Sequence, residues 1–237
     1  MFISHKYKVI FVHIQRTGGY SVQKIFQKYD PELIEIIPVE PIKKRVRHCF
    51  ASDIAITIDT EIFRDYTKFC VVRNPYDRMV SWYSILKHGY GKNEPKIKVK
   101  SSYPKNKYSQ ESFTEMALRG DTTGANVIIE VNKNANSFED FIMLPRNHKS
   151  GLFERFYVNQ WNYISENNDI LVDRILRFEN LSCDFDNLAK EIGFEGKLPH
   201  VNKSKHREDY RNYYTKHVKE AILQRFKQDF EYFGYNF

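Results

Sequence analysis

Cysteine is scarce in this chain. Three occur in 237 residues, Cys49, Cys70 and Cys183. They are odd in number and widely spaced, with no C-x-x-C pair. That excludes a zinc-knuckle spacing and argues against a disulfide framework. Long apolar runs are missing too, and nothing approaches the ~20 residues needed to cross a bilayer as a helix. Residues 1–8 are short and mixed in character, without the pattern of a signal peptide. No internal repeat and no low-complexity tract interrupts the chain. Scattered carboxylates form no ligand cluster, so no metal is expected. A standard triphosphate P-loop is absent as well, because no G-x-x-x-x-G-K-[ST] occurs.

Aromatic residues are plentiful, with 18 Phe and 16 Tyr, each supplying large buried area. Together with the length this is enough for one medium domain with a real core, spanning residues 1–237. The formal net charge is +7, so the surface should attract anions. Charge alone suits nucleic acid, an acidic polysaccharide or an anionic nucleotide equally. No RNA- or DNA-binding motif accompanies it, and no helix interleaves basic and aromatic residues in the manner of a groove reader. Nucleic acid is therefore not expected as a partner.

Two junctions carry the chemistry. In the first, the apolar run from Val9 to Val12 leads through His13-Ile14-Gln15-Arg16-Thr17-Gly18-Gly19-Tyr20-Ser21 into a helix. A strand, a glycine loop and a helix N-terminus together form a cradle for a phosphate. Glycine lets the main chain approach an anion and turn sharply, and Arg16 adds a fixed charge with a donor fork. The second junction is Arg73-Asn74-Pro75-Tyr76-Asp77-Arg78-Met79-Val80-Ser81, following the buried-strand pattern of residues 69–72. Proline suits the first turn of the helix that starts there. Arg73 then sits at a strand's C-terminal edge, where open α/β sheets bind ligands. Ser81 lies about two helical turns further on, and an arginine fork with a hydroxyl suits a phosphate monoester. Read alone, each segment also fits an ordinary glycine turn and a surface cation.

Taken together, the two segments resemble the PAPS-dependent sulfotransferases, and most closely the carbohydrate branch that includes the heparan sulfate 2-O- and 6-O-sulfotransferases. In that family H-I-[PQ]-K-T-G-G-T-[ST] holds the 5′-phosphosulfate of 3′-phosphoadenosine 5′-phosphosulfate (PAPS), and R-[ND]-P-x-x-R-x-x-S holds the 3′-phosphate. The likeness extends to the late strand at residues 173–181, to Leu198-Pro199-His200-Val201-Asn202-Lys203-Ser204, and to the closing Asp229-Phe230-Glu231-Tyr232-Phe233-Gly234-Tyr235. It thins between Gly89 and about Asn159.

The resemblance implies an enzyme that transfers sulfonate from PAPS to a hydroxyl, on a sugar or glycan, and releases PAP without a metal. It assigns Arg16, Thr17, Gly18, Gly19, Tyr20 and Ser21 to the 5′ end of the donor, Arg73 and Ser81 to the 3′-phosphate, and Lys203 and Ser204 to the adenosine or the 3′-phosphate. Two departures stand out: Arg16 replaces the usual lysine and Tyr20 the usual threonine. Arginine keeps its charge but cannot release a proton at accessible pH, so Arg16 is expected to act electrostatically. Among eight histidines, His48 is the expected general base. It lies between the two phosphate segments, where carbohydrate sulfotransferases place a catalytic histidine. Lys43, Lys44, Arg45 and Arg47 would favour its neutral form if close in space. His13 is expected to orient the loop, and His200 and His206 are second candidates. The competing reading is a non-catalytic basic module that holds an anionic glycan or nucleotide. Animal Golgi relatives carry an N-terminal anchor and stem; a cytoplasmic location is expected here, with a trimmed luminal domain as the alternative.

The expected architecture is α/β: a central, mostly parallel sheet flanked by helices, with a P-loop-like nucleotide site. Strands are expected at residues 8–13, 33–37, 67–72 and 170–178. Helices are expected at 21–28, 76–87, near 138–143, at 184–192 and at 214–230, with 52–62 partly helical. Residues 89–110, rich in lysine and poor in apolar residues, are expected to form a long basic loop that shapes the acceptor cleft or serves only as a solvated linker.

Overall fold

A computed structural model describes residues 1–35, 48–88, 124–148, 152–198 and 208–237. The apolar run after Lys8 becomes β2 (Val9–Val12), buried at every position. Preceding it is β1 (Phe2–Ser4), and the two pair antiparallel with Ile3 opposite Ile10. The helix α1 (Gly19–Tyr29) follows, then β3 (Ile34–Glu35), which pairs with the outer side of β1. Two short helices, α2 (Ala51–Thr57) and α3 (Thr60–Asp65), lead to β4 (Thr67–Val72). Lying parallel to β2, β4 sets Phe69 opposite Phe11. A last sheet strand, β7 (Arg174–Arg177), lies parallel to β4 with Arg177 opposite Val72. The sheet order is β3-β1-β2-β4-β7.

The α/β class and the parallel centre agree with the sequence reading, while the edge differs. The N-terminal segment adds an antiparallel strand that the sequence did not suggest, since three residues are too few to show a period. A second difference lies at 170–178. Instead of one strand, this stretch holds the end of a small hairpin, β5 (Ser165–Glu166) with β6 (Asp169–Ile170), and then β7. Asn167 and Asn168, at φ 51° and 69°, make the tight turn between β5 and β6. Asparagine tolerates that left-handed pair, which matches the twist of a two-residue hairpin.

The described residues group into two compact units. The first contains the sheet, α1–α3, the hairpin, the short α7 (Trp161–Ile164) and α8 (Leu181–Glu191). Its core is an aromatic stack in which Phe2, Phe11, Phe26, Phe69, Phe185 and Phe194 are buried. Phe26 and Phe194 stack at 4.3 Å between centroids. Burying such side chains contributes roughly 1.5–3 kcal/mol each. Burial pushes the Cys70 thiol well above its ordinary pKa, as befits an inert core residue of β4.

The second unit contains α4 (Pro75–His88), α5 (Gly124–Asn134), α6 (Phe138–Met143), α9 (Lys216–Arg225) and α10 (Lys227–Phe233). Asn74 starts α4, its side-chain oxygen accepting from the Tyr76 N–H at 3.0 Å. The same side chain donates to the carbonyl of Asn236 at 2.7 Å, which ties down the C-terminus. The expected closing helix is interrupted at Phe226, whose backbone (φ −111°, ψ 32°) departs from the helix. Val218, Ile222 and Phe226, the apolar stripe that suggested the helix, are all buried. Among the described residues no helix is long and apolar enough to cross a membrane.

Candidate active site

The C-terminal ends of β2, β4 and β7 lie side by side, because these three strands are parallel and in register. His13 opens the loop after β2, Arg73 follows β4, and Phe178 follows β7. Adjacency in the sheet therefore brings the loop, an arginine and an aromatic ring to one edge, the edge at which open α/β sheets bind ligands.

The loop itself is backbone engineering. Arg16 has φ 66°, a left-handed conformation that costs a residue with a Cβ roughly 1–2 kcal/mol. Gly18, at φ 86°, caps α1, which carries no acidic residue in its first turn. The Ser21 N–H donates to the Gly18 carbonyl at 3.1 Å. The first N–H groups of a helix lack intrahelical acceptors and attract an anion. Thr17 is fully buried, and its hydroxyl donates to the Ile14 carbonyl at 2.9 Å, closing the loop on itself. Side chains are excluded at both glycines. A Cβ on Gly18 would lie 2.9 Å from the Phe178 ring, and one on Gly19 2.5 Å from the His13 ring. Tyr20 is about half exposed, with the Lys24 ammonium 5.2 Å from its ring centre.

Arg73 is not a surface cation. Only 3% of it is exposed. Its guanidinium lies over the Phe178 ring at 3.9 Å, and Nη1 donates to the Arg16 carbonyl at 3.1 Å. The strained loop residue is thus held by the side chain that ends the neighbouring strand. Arg73 is itself fixed by Gln160, a fully buried side chain. The Arg73 N–H donates to Gln160 Oε1 at 2.9 Å, and Gln160 Nε2 donates to the Arg73 carbonyl at 2.8 Å. One amide side chain thereby supplies the pairing that another strand would give. Gln160 and Phe178 escaped the sequence reading as site residues. Both act through partners far away in the chain, and no local pattern marks them.

His48 lies just ahead of α2, separated from it by Cys49 and the N-cap residue Phe50. Its neighbour Cys49 is buried, and the Phe50 N–H donates to the Asp53 carboxylate at 3.0 Å. The Phe50 ring meets Tyr163 edge-on at 5.1 Å. On that anchored start, His48 Nδ1 lies 2.9 Å from the His13 carbonyl, and the two imidazoles meet edge-to-face at 4.5 Å. A carbonyl only accepts, so Nδ1 carries a proton and in the neutral ring Nε2 holds the lone pair. The structure thus brings His48, His13, Arg16, Thr17, Gly18, Gly19 and Arg73 together at one edge.

Ser81 lies on α4 in the second unit and is 6% exposed. Arg78, from the same motif, is buried there, with Nη1 donating to the Val158 carbonyl at 3.2 Å. Lys203 and Ser204 lie outside the described residues, as do His200, His206, the basic cluster Lys43, Lys44, Arg45 and Arg47, and the loop at 89–110.

The Gly18–Gly19 cradle, the acid-free start of α1 and the adjacent Arg73 fit an anionic group such as a phosphate. Compared with known families, the chain matches the family model described as Sulfotransferase family over residues 1–236. No curated protein matches it.

Proposed function

The chain belongs to the sulfotransferase family, and on that premise we propose that its donor is PAPS, its acceptor a carbohydrate hydroxyl and its general base His48. Membership decides between the two readings that the sequence left open, in favour of an enzyme of sulfonate transfer over a non-catalytic binding module.

The observation that carries the proposal is the bond from His48 Nδ1 to the carbonyl of His13. His13 is the residue that opens the glycine loop, so the base and the donor cradle share one anchor. In this tautomer Nε2 is free of the proton and suited to accept one from an acceptor hydroxyl. Such a base contributes about 10²–10⁴-fold in rate.

Bound to the loop, PAPS would supply an activated sulfonate and an anionic leaving phosphate. The protein's part is to hold that group and stabilise the charge that develops. The N–H groups of Thr17, Gly18, Gly19 and Tyr20 surround the 5′ end in this reading, and since the Ser21 N–H is given to the Gly18 carbonyl, Ser21 contributes through its side chain. Because the Thr17 hydroxyl proton is committed to Ile14, its contribution there is the backbone N–H. Arg16 adds permanent positive charge and no transferable proton. Arg73 serves the 3′-phosphate, and the motif adds Ser81. Support for the carbohydrate branch is the H-I-Q-R-T-G-G loop together with a histidine placed between the two phosphate segments.

The test is calorimetric titration of PAP into protein prepared without phosphate and magnesium, with ATP and ADP as controls, followed by turnover of labelled PAPS over a panel of sugars. Selective PAP binding and sulfated sugar product are expected. A folded protein that ignores PAP refutes the donor assignment, and turnover only on non-sugar hydroxyls refutes the acceptor class.

A further inference from the structure

The turn that opens α4 is held from a distant part of the chain. Asn74 accepts twice there: its carbonyl from the Arg78 N–H at 2.8 Å, and its Oδ1 from the Tyr76 N–H at 3.0 Å. Pro75 has no N–H to offer, so these two bonds close the first turn. With Oδ1 facing Tyr76, the Nδ2 group of the same amide points the other way. There it donates to the Asn236 carbonyl at 2.7 Å and to the Tyr210 hydroxyl at 3.4 Å. Asn74 is 8% exposed, so protein groups rather than water must hold its amide.

Asn236 lies beyond α10 in no helix or strand, and the residue beside it supplies the anchor. Gly234 ends α10 in a left-handed conformation, φ 63°, and turns the chain. Phe237 then enters a box of three tyrosines, edge-on to Tyr76 at 4.9 Å, Tyr214 at 5.7 Å and Tyr210 at 6.0 Å. The Lys219 ammonium sits 3.8 Å from the Phe237 ring centre, adding a cation–π attraction to the apolar contact. The box is itself tied to α4. The Tyr214 hydroxyl donates to the Tyr76 carbonyl at 2.8 Å, and the Tyr76 hydroxyl to the Lys219 carbonyl at 3.4 Å.

We propose that Asn236 and Phe237 form a latch that positions the Arg73-Asn74-Pro75 junction and, through it, sets the affinity for the donor. The inference rests on the reading of Arg73 and Ser81 as the 3′-phosphate residues. Asn74 is joined to the first and opens the helix that carries the second. Asn236 and Phe237 are positioning residues in this scheme, acting through Asn74 with no need to touch the nucleotide. Without the latch the Asn74 amide can turn, which breaks its bond to the Tyr76 N–H and loosens the start of α4. Arg73 then keeps only the support of Gln160 on its other side.

The test compares the full chain with Phe237→Ala and Lys219→Met, each well below its melting temperature, by PAP calorimetry, PAPS kinetics and amide hydrogen exchange. Phe237→Ala should raise the Kd for PAP by about three- to tenfold, the scale of a lost helix cap. The KM for PAPS should rise in step while kcat holds. Exchange of the Tyr76 and Arg78 N–H groups should quicken several-fold, with the amides of β2 and β4 at parental rates. Lys219→Met removes the cation and keeps the apolar stem, so the same readings should move the same way by about twofold. Parental affinity and parental exchange in folded Phe237→Ala overturn the latch. A uniform rise in exchange across α4 and the sheet, with affinity unchanged, also overturns it, because that marks a purely structural ring. Quicker exchange at α4 alone with parental affinity refutes the link to the donor. If the parent itself binds no PAP, the donor assignment falls, and exchange at Tyr76 and Arg78 still decides whether the latch holds the junction.

Discussion

The ends of β2 and β4 are neighbours in one sheet and are built in opposite ways. After β2 the chain uses main chain: a left-handed Arg16, a left-handed Gly18, and a helix start into which no Cβ fits. After β4 it uses side chains: a buried Arg73 laid on Phe178 and clamped by the amide of Gln160. The first construction should tolerate changes of side-chain identity but no change of shape. The second should tolerate neither loss of charge nor loss of its amide partner. His48 belongs to both worlds, since it is a side chain held by a backbone carbonyl of the loop.

The largest effect is therefore expected at His48. His48→Ala leaves the loop backbone in place but removes the proposed base, so turnover of labelled PAPS should fall by about 10²–10⁴-fold while calorimetric PAP affinity stays at the parental value. Parental turnover in that variant would take His48 out of the mechanism. Next comes Gly19→Ala, the sharpest probe of the backbone side of the contrast. Its Cβ would lie 2.5 Å from the His13 ring. Overpacking of this kind costs about 1–3 kcal/mol, so the melting temperature should drop and both PAP affinity and turnover should fall. Loss of turnover alone would mean that the cradle does not bind the donor through its main chain.

On the side-chain side, Gln160→Leu keeps the volume and deletes the amide. The Arg73 N–H and carbonyl are then left without this partner, at a cost of about 1–3 kcal/mol for a buried group. The expected result is a lower unfolding free energy and PAP affinity reduced a few-fold, in the same direction as Arg73→Ala but smaller. A KM for PAPS that rises while kcat holds would identify Gln160 as a positioning residue. Lost stability with an unchanged KM would make it purely structural.

Legibility in the sequence follows the range of the forces involved. The runs at Val9–Val12 and Thr67–Val72, the glycines between strand and helix, and the Asn74–Pro75 start of α4 were readable, because each is set by neighbours within a few residues. Gln160 was not, since its partner stands 87 positions away and nothing nearby distinguishes it from a surface glutamine. The same holds for Phe178, read as the end of a strand yet serving as the platform for Arg73. β1 was invisible because it has no alternation to show. The apolar stripe at Val218, Ile222 and Phe226 gave the buried face correctly but could not register the break at Phe226, where the stripe continues across two helices.

The smallest effect is expected at Arg16, where the two constructions meet: its backbone shapes the loop and its carbonyl receives Arg73. Arg16→Lys keeps a Cβ, and with it the same left-handed strain, and keeps one positive charge. If Arg16 contributes only electrostatic stabilisation, turnover should change by no more than about threefold, well under the tenfold that 1.4 kcal/mol represents. The pH profile should also keep its shape up to about pH 9, because the lysine stays protonated well below its ordinary pKa of about 10.4. A marked rise in turnover with a new alkaline limb would mean that a proton from lysine reaches the leaving phosphate, and that arginine had been withholding it. A large fall would place the guanidinium fork itself on the donor, making this position a side-chain site set within a backbone-built loop.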